Sequence, residues 1–396
     1  MNNNKNISSH IFKWMLLLLV FWGAHAWFTW ELDFLSFGTR TIFRLSLAAI
    51  AFIYACKNRI VLKMSNRLTF GIVCYFIAIN LPFKSIGEAI AQLVLIVPIM
   101  VLICDKKNAE NNLSFLAKGL AIVFIPGFVL YFLRLTNQLN IIGYPIQYGD
   151  LNVNQTYSFM NYGFMLVRLW KVDDTRFTSV FLEPGYLGSL VAFMLYAGNY
   201  NFKKWYNVVL LICLILSFSL AGYVVSFIGY ILFSLSAGKK IKRLLCLGVM
   251  TLLVLWGSQY YNNGNNMINE LILSRLEYDE EKGLSGNDRS SIEADFLFSK
   301  VVSSGNVLFG DPSIKDMSGA GYKVFIVNKG LVPALLFFVF YYCSAENRKK
   351  YRYSKFFILL IALTFMQAAY PASYSWIVPF LLGINKREEY ENTIHN

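Results

Sequence analysis

Apolar stretches close to the length of a bilayer crossing recur along this chain from one end to the other, and short basic turns separate them. About 20 apolar residues, coiled as a helix, cross the ~30 Å hydrocarbon core. Lipid offers no partner to an unpaired backbone group, so each such stretch is confined to helix. The stretches fall at 14–30, 41–56, 68–84, 88–104 and 113–133, then from Pro184 to the residues before Lys203. The apolar region 205–237 is too long for one crossing and folds as a hairpin around Ser219–Tyr223. A further span ends near Tyr260, another covers 322–343, and 356–385 forms a last hairpin around Pro371. The expected fold is therefore an all-α polytopic membrane protein of about twelve transmembrane helices. Residues 1–396 form a single membrane domain. With 56% hydrophobic and 15% charged residues, and a mean hydropathy of +0.48, the composition excludes a soluble globular chain.

The turns assign the sides. Lys57, Arg59, Lys63 and Arg67 follow the second span, Lys106 and Lys107 the fourth, and Lys203 and Lys204 the sixth. Lys239, Lys240, Lys242 and Arg243 follow the eighth, and Arg348, Lys349, Lys350, Arg352 and Lys355 the tenth. Basic loops stay in the cytoplasm, so both termini are expected there, and the long loops 134–181 and 261–321 are extracytoplasmic. The +13 net charge then reflects topology, and no nucleic-acid-binding signature accompanies it. Ala24-His25-Ala26 has the small-x-small pattern of a signal-peptidase site, within a first span read as an uncleaved anchor. The six cysteines lie in spans or at their cytoplasmic ends, which predicts neither disulfide nor thiolate metal site.

The three histidines are His10, His25 and His395, none of them in a long outer loop. This removes the commonest general base and zinc ligand from that face. Asp279-Glu280-Glu281 is consecutive rather than spaced as ligands, and reads as solvated surface. No metal and no cofactor are expected. Cations placed on the outer side against the general trend are more informative: Arg40 and Arg44 on one helix face, Arg134, Arg176, Arg289, Lys323 and Lys329. Charges at such depth commonly face a cavity, and guanidinium groups grip a pyrophosphate bidentately. Between them lies Arg176 to Gly188, RFTSVFLEPGYLG. Pro184 suits the first turn of a helix, and the residue before it prefers extended backbone. Glu183 is thus expected just outside the sixth span, facing the positive end of its dipole. The loop before it has an amphipathic stretch around Tyr157–Trp170.

Several of these elements resemble the bacterial O-antigen and exopolysaccharide polymerases of the Wzy type, which share a superfamily with the O-antigen ligases. They are Arg176 with Phe181-Leu182-Glu183-Pro184-Gly185, and Ser217 to Tyr223 in its tight hairpin. Arg289 with the amphipathic stretch to Ser304, Leu308-Phe309-Gly310 and the Gly330 region complete the set. The resemblance implies a GT-C-like ligase/polymerase architecture in the bacterial cytoplasmic (inner) membrane. It further implies metal-independent glycosyl transfer from an undecaprenyl-pyrophosphate-linked glycan to a sugar hydroxyl of another lipid-linked repeat unit. Membrane lipid, a chain-length regulator and a flippase are the implied partners. In this reading Arg176 and Arg289 neutralise the departing pyrophosphate and Glu183 serves the acceptor hydroxyl, with Arg40, Arg44, Arg134, Lys323 and Lys329 binding substrate. Ligases of the superfamily carry a histidine in the loop before the tenth span, where this chain reads Asp316-Met317-Ser318-Gly319-Ala320-Gly321. A ligase and a lipid-linked oligosaccharide flippase are the competing classes.

Overall fold

The computed structural model of the 396-residue chain describes residues 2–32, 34–83, 85–150, 155–169, 175–236, 253, 256–266, 269–273, 278–279, 283–284, 292–311, 313–314, 321–345, 351–368 and 371–394. It is mostly helical and membrane-embedded in character. The first helices are α1 (Asn2–Gly23), α2 (Phe37–Lys57), α3 (Asn66–Asn80), α4 (Ile86–Cys104) and α5 (Ala109–Leu135). A serine opens three of them: Ser36, Ser65 and Ser85 accept hydrogen bonds from the backbone N–H of Thr39, Leu68 and Glu88. Each satisfies a donor that the first helical turn leaves orphaned. The expected spans two, four and five are observed as α2, α4 and α5, which are long and apolar enough to cross a membrane.

The other expected spans depart from the simple reading. The sixth is α6 (Pro184–Ala197), the hairpin is α7 (Trp205–Leu216) and α8 (Leu220–Ser236), and these are 14, 12 and 17 residues long. At 1.5 Å per residue such helices fall short of ~30 Å. Of the ninth, only 253 and 256–260 are among the described residues. The tenth is not one helix: α10 (Gly321–Lys329) and α11 (Leu331–Ala345) meet at a bend of 113°. Gly330 makes the break, with φ at +89° and its N–H on the Ile326 carbonyl at 2.9 Å. Only glycine adopts that left-handed conformation without strain. The last hairpin is α12 (Tyr351–Phe365) and α13 (Tyr374–Ile394), turning through Pro371.

At one end of the bundle the basic turns of different helices are tied together by ions. Glu110 accepts from Lys204 at 3.0 Å and lies 3.8 Å from Lys386, which joins the starts of α5 and α7 to α13. Beside it the buried Tyr54 hydroxyl donates to Asp105 at 2.7 Å. Inside the bundle α6 is buried along nearly its whole length and packs on α7, α8 and α13. Tyr196 and Tyr353 stack at 4.8 Å and exchange hydroxyl-to-carbonyl hydrogen bonds of 3.0 and 3.1 Å. The phenols thereby keep partners where no water is at hand.

The opposite end differs most from expectation. The loop 134–181, read as a long extracytoplasmic loop with an amphipathic stretch around Tyr157–Trp170, carries a three-stranded antiparallel sheet, so the protein is not purely α. Its strands are β1 (Tyr144–Asp150), β2 (Gln155–Asn161) and β3 (Leu166–Arg168), with Tyr148 opposite Tyr157 and Phe159 opposite Arg168. The period-two placement of Tyr157 and Phe159 on either side of Ser158 sends one face onto Trp30, Tyr148, Leu166 and Leu182. Trp30 belongs to a 3-10 turn (Trp27–Leu32), so the first span stops at Gly23 rather than near residue 30. Residues 26–27 instead pair with 180–181: Ala26 bridges Phe181, and the Trp27 N–H reaches the Val180 carbonyl at 2.9 Å. In the other long loop α9 (Ile292–Ser303) packs on α10 through Ala294, Val301 and Val327, and β4 (Tyr278–Asp279) pairs with β5 (Gly283–Leu284).

Candidate functional site

The Glu183-Pro184 junction forms as local sterics dictate. Glu183 is extended (φ −143°, ψ 152°), Pro184 opens α6, and the Glu183 side chain makes no capping hydrogen bond. It is exposed, so the carboxylate is spared from holding the helix end. Arg176 is half-buried and sits against the α7–α8 turn, because the Phe177 N–H donates to the Leu216 carbonyl at 2.9 Å. One residue earlier, the Thr175 carbonyl accepts from the Tyr131 hydroxyl at 2.6 Å. Arg134, half-buried in the last turn of α5, lies where a helix dipole favours a cation. Arg289 lies outside the described residues.

A cavity of about 580 Å³ opens at this same end, between the end of α1, α3, α4, the bent α10–α11 pair and the α12–α13 turn. Its wall is aromatic and aliphatic, with Trp22, Tyr75 and Phe337 among the apolar residues. His25, Gln92, Asn328, Lys329 and Tyr374 add polar groups. An apolar hollow with a few convergent polar groups is the usual form of a ligand site. Lys329 reaches it from the last turn of α10, its ammonium donating to the Leu81 carbonyl at 3.1 Å. Lys323, one helical stretch earlier, is instead engaged by Asp295 of α9 at 2.5 Å, so its charge is matched within the protein.

Arg44 is 8% exposed and lies within electrostatic reach of Arg40, the cavity residue Tyr374 and Glu88. Its Nε has no hydrogen-bond partner among the described residues. Arg40 donates through Nη2 to the Leu35 carbonyl at 3.0 Å. The sequence-derived set therefore divides. Lys329 lines the cavity and Arg44 stands beside it with Arg40, whereas Glu183, Arg176, Arg134 and Lys323 are not among the wall residues.

The residue that sequence reasoning passed over is His25. Placed inside a span to residue 30, it had no access to the outer face; with α1 ending at Gly23, it lies beyond the helix and on the cavity wall. Its carbonyl accepts from the Leu182 N–H at 3.2 Å, one residue from Glu183. The usable signal was the small-residue run Gly23-Ala24-His25-Ala26, which interrupts the apolar stretch. Among the described residues no group of His, Cys, Asp and Glu is arranged to hold a metal.

Fold and site together define a mostly helical membrane protein with a largely apolar cavity, bearing a few polar groups, at the end of its bundle. Searches against protein-family models, curated proteins and solved structures find no match for this chain.

Proposed function

We propose that this protein is a polysaccharide polymerase of the bacterial cytoplasmic membrane, joining undecaprenyl-pyrophosphate-linked repeat units on the extracytoplasmic face. The observation that supports it most is the buried Arg44 beside Arg40 and a cavity that Lys329 enters. Charged side chains gathered at this depth of an apolar bundle commonly mark a function, and guanidinium and ammonium groups suit an anionic ligand. A lipid pyrophosphate matches this chemistry, with a charged head for the cations and a tail for the apolar wall. An acceptor hydroxyl attacks the anomeric carbon of the donor, and the bond to pyrophosphate breaks as the new glycosidic bond forms. Lys329 and Arg44 offset the charge left on the pyrophosphate, and Glu183, off the cavity wall but one residue from the Leu182 N–H that bonds the His25 carbonyl, orients the hydroxyl. The full topology in this reading has about twelve spans, the shorter α6, α7 and α8 included, in a GT-C-like arrangement with both termini cytoplasmic.

Two results test it. In a strain deleted for the gene, surface glycan is expected to shrink to single repeat units, visible as a collapsed ladder on a gel. Loss of every surface glycan points instead to a flippase or ligase, and an unchanged ladder ends the proposal. For orientation, cysteines placed at the exposed positions Asn140 and Asn265 are expected to react with an impermeant thiol reagent in intact spheroplasts. Protection of both until the membrane is broken reverses the topology.

A further inference from the structure

We propose that His25 is the proton acceptor of this cavity, the base that deprotonates the sugar hydroxyl during transfer; the inference rests on the polymerase reading above. Its backbone is the first indication. The Ala26 N–H bonds the Phe21 carbonyl at 3.0 Å and the His25 N–H bonds the Trp22 carbonyl at 3.1 Å. This is the pairing of a helix terminus whose left-handed residue is normally glycine. Here that residue is His25, at φ +54°. A side chain in this conformation is disfavoured, and strain of that kind collects at functional sites.

The surroundings hold the backbone of His25 in place and put its ring beside Tyr186. The His25 carbonyl is clamped by the Leu182 N–H at 3.2 Å and the Trp30 indole N–H at 3.0 Å. The ring lies 5.0 Å, centroid to centroid, from Tyr186, which stands on the first turn of α6 just after Glu183. His25 is half-buried and shares the cavity wall with Lys329. Imidazole is the side chain best suited to taking a proton near neutral pH. In the proposed step the hydroxyl proton passes to a ring nitrogen while the acceptor oxygen bonds the anomeric carbon. The anomeric carbon–oxygen bond to pyrophosphate breaks, and its electron pair stays on the leaving oxygen beside Lys329. The imidazolium then returns its proton to water. Glu183, exposed at the α6 entrance, orients the acceptor.

The left-handed seat makes the test clean, because glycine and asparagine both tolerate it. Membranes containing full-length His25→Gly or His25→Asn are supplied with the single lipid-linked repeats that accumulate in the deletion strain. Both variants are expected to accumulate and melt as wild type does, and to lose transfer by about 100-fold or more. Added imidazole is expected to restore transfer to His25→Gly, whose missing ring leaves room for it. Transfer by either variant at the wild-type rate overturns the proposal, as does a loss that imidazole does not restore. Glu183→Gln is measured beside them: inactivity there with an active His25→Gly assigns the proton to Glu183. Wild-type membranes that elongate nothing from the same lipid pool sink the polymerase reading and this inference together, a result distinct from an active wild type with an active His25→Gly.

Discussion

Replacing Lys329 by methionine is expected to slow repeat-unit transfer by about 100-fold while leaving the protein folded. The ammonium is half-buried in the last turn of α10, lines the cavity, and is steered by the Leu81 carbonyl at the end of α3. A single contact to charge developing on the leaving group is worth ~3 kcal/mol, which corresponds to that factor in rate. Methionine preserves most of the stem that packs against the wall, so a change in rate reports the charge. Transfer rates in membranes, read with the thermal midpoint of the purified protein in detergent, separate the two effects. Wild-type polymer length and rate at normal expression would remove Lys329 from the site. Lys323→Met is the matched comparison: its partner is Asp295, so its loss is expected to fall on the packing of α9 against α10 and far less on transfer.

The second large effect falls on the fold. Gly330→Val is expected to keep the protein from accumulating in a folded form. At φ +89° a β-branched residue is a severe outlier, and a Cβ there would lie 2.2 Å from the Leu308 carbonyl oxygen. Gly310 faces the same contact from the other side, at φ +71° and with a Cβ position 2.6 Å from the Lys329 nitrogen. Backbone therefore meets backbone, and no side-chain rotation can relieve the clash. A cost of several kcal/mol is a large part of the ~5–15 kcal/mol that a folded chain has in reserve. Gly38→Ala in the first turn of α2, where a Cβ meets nothing within 4 Å, is the control and is expected to be neutral or mildly stabilising. Purification of Gly330→Val as a monodisperse protein with the wild-type midpoint would show that the bend between α10 and α11 does not depend on this glycine. Such a result would also detach Lys329 from the geometry that brings it to the cavity.

How far the sequence carried is clearest at particular elements. Wherever local rules are sufficient, the chain reads true. The apolar runs and basic turns around α2, α4 and α5 mark helices that any lipid environment would demand, because an unpaired backbone is intolerable there. Sterics at Glu183-Pro184 needed nothing beyond two neighbouring residues, and the extended junction is found where they put it. The hairpin turn around Pro371 was equally legible, whereas the one expected at Ser219–Tyr223 falls at 217–219, with Leu220–Tyr223 already in α8.

The site was not. Lys329 enters the cavity because Gly330 breaks an apolar run that hydropathy reads as unbroken, and that break is held by residues 308–310, which close on it from the preceding loop. His25 left its expected span because residues 26–27 found partners at 180–181, over a hundred and fifty positions away in sequence. The strands at 144–168 likewise pack on Trp30, more than a hundred positions away in sequence. Hydrophobic periodicity reports that a segment prefers lipid or core to water, and it is blind to which distant backbone will approach. A helix ends where tertiary partners take over its hydrogen bonds, and in this protein those partners determine which polar side chains share a cavity.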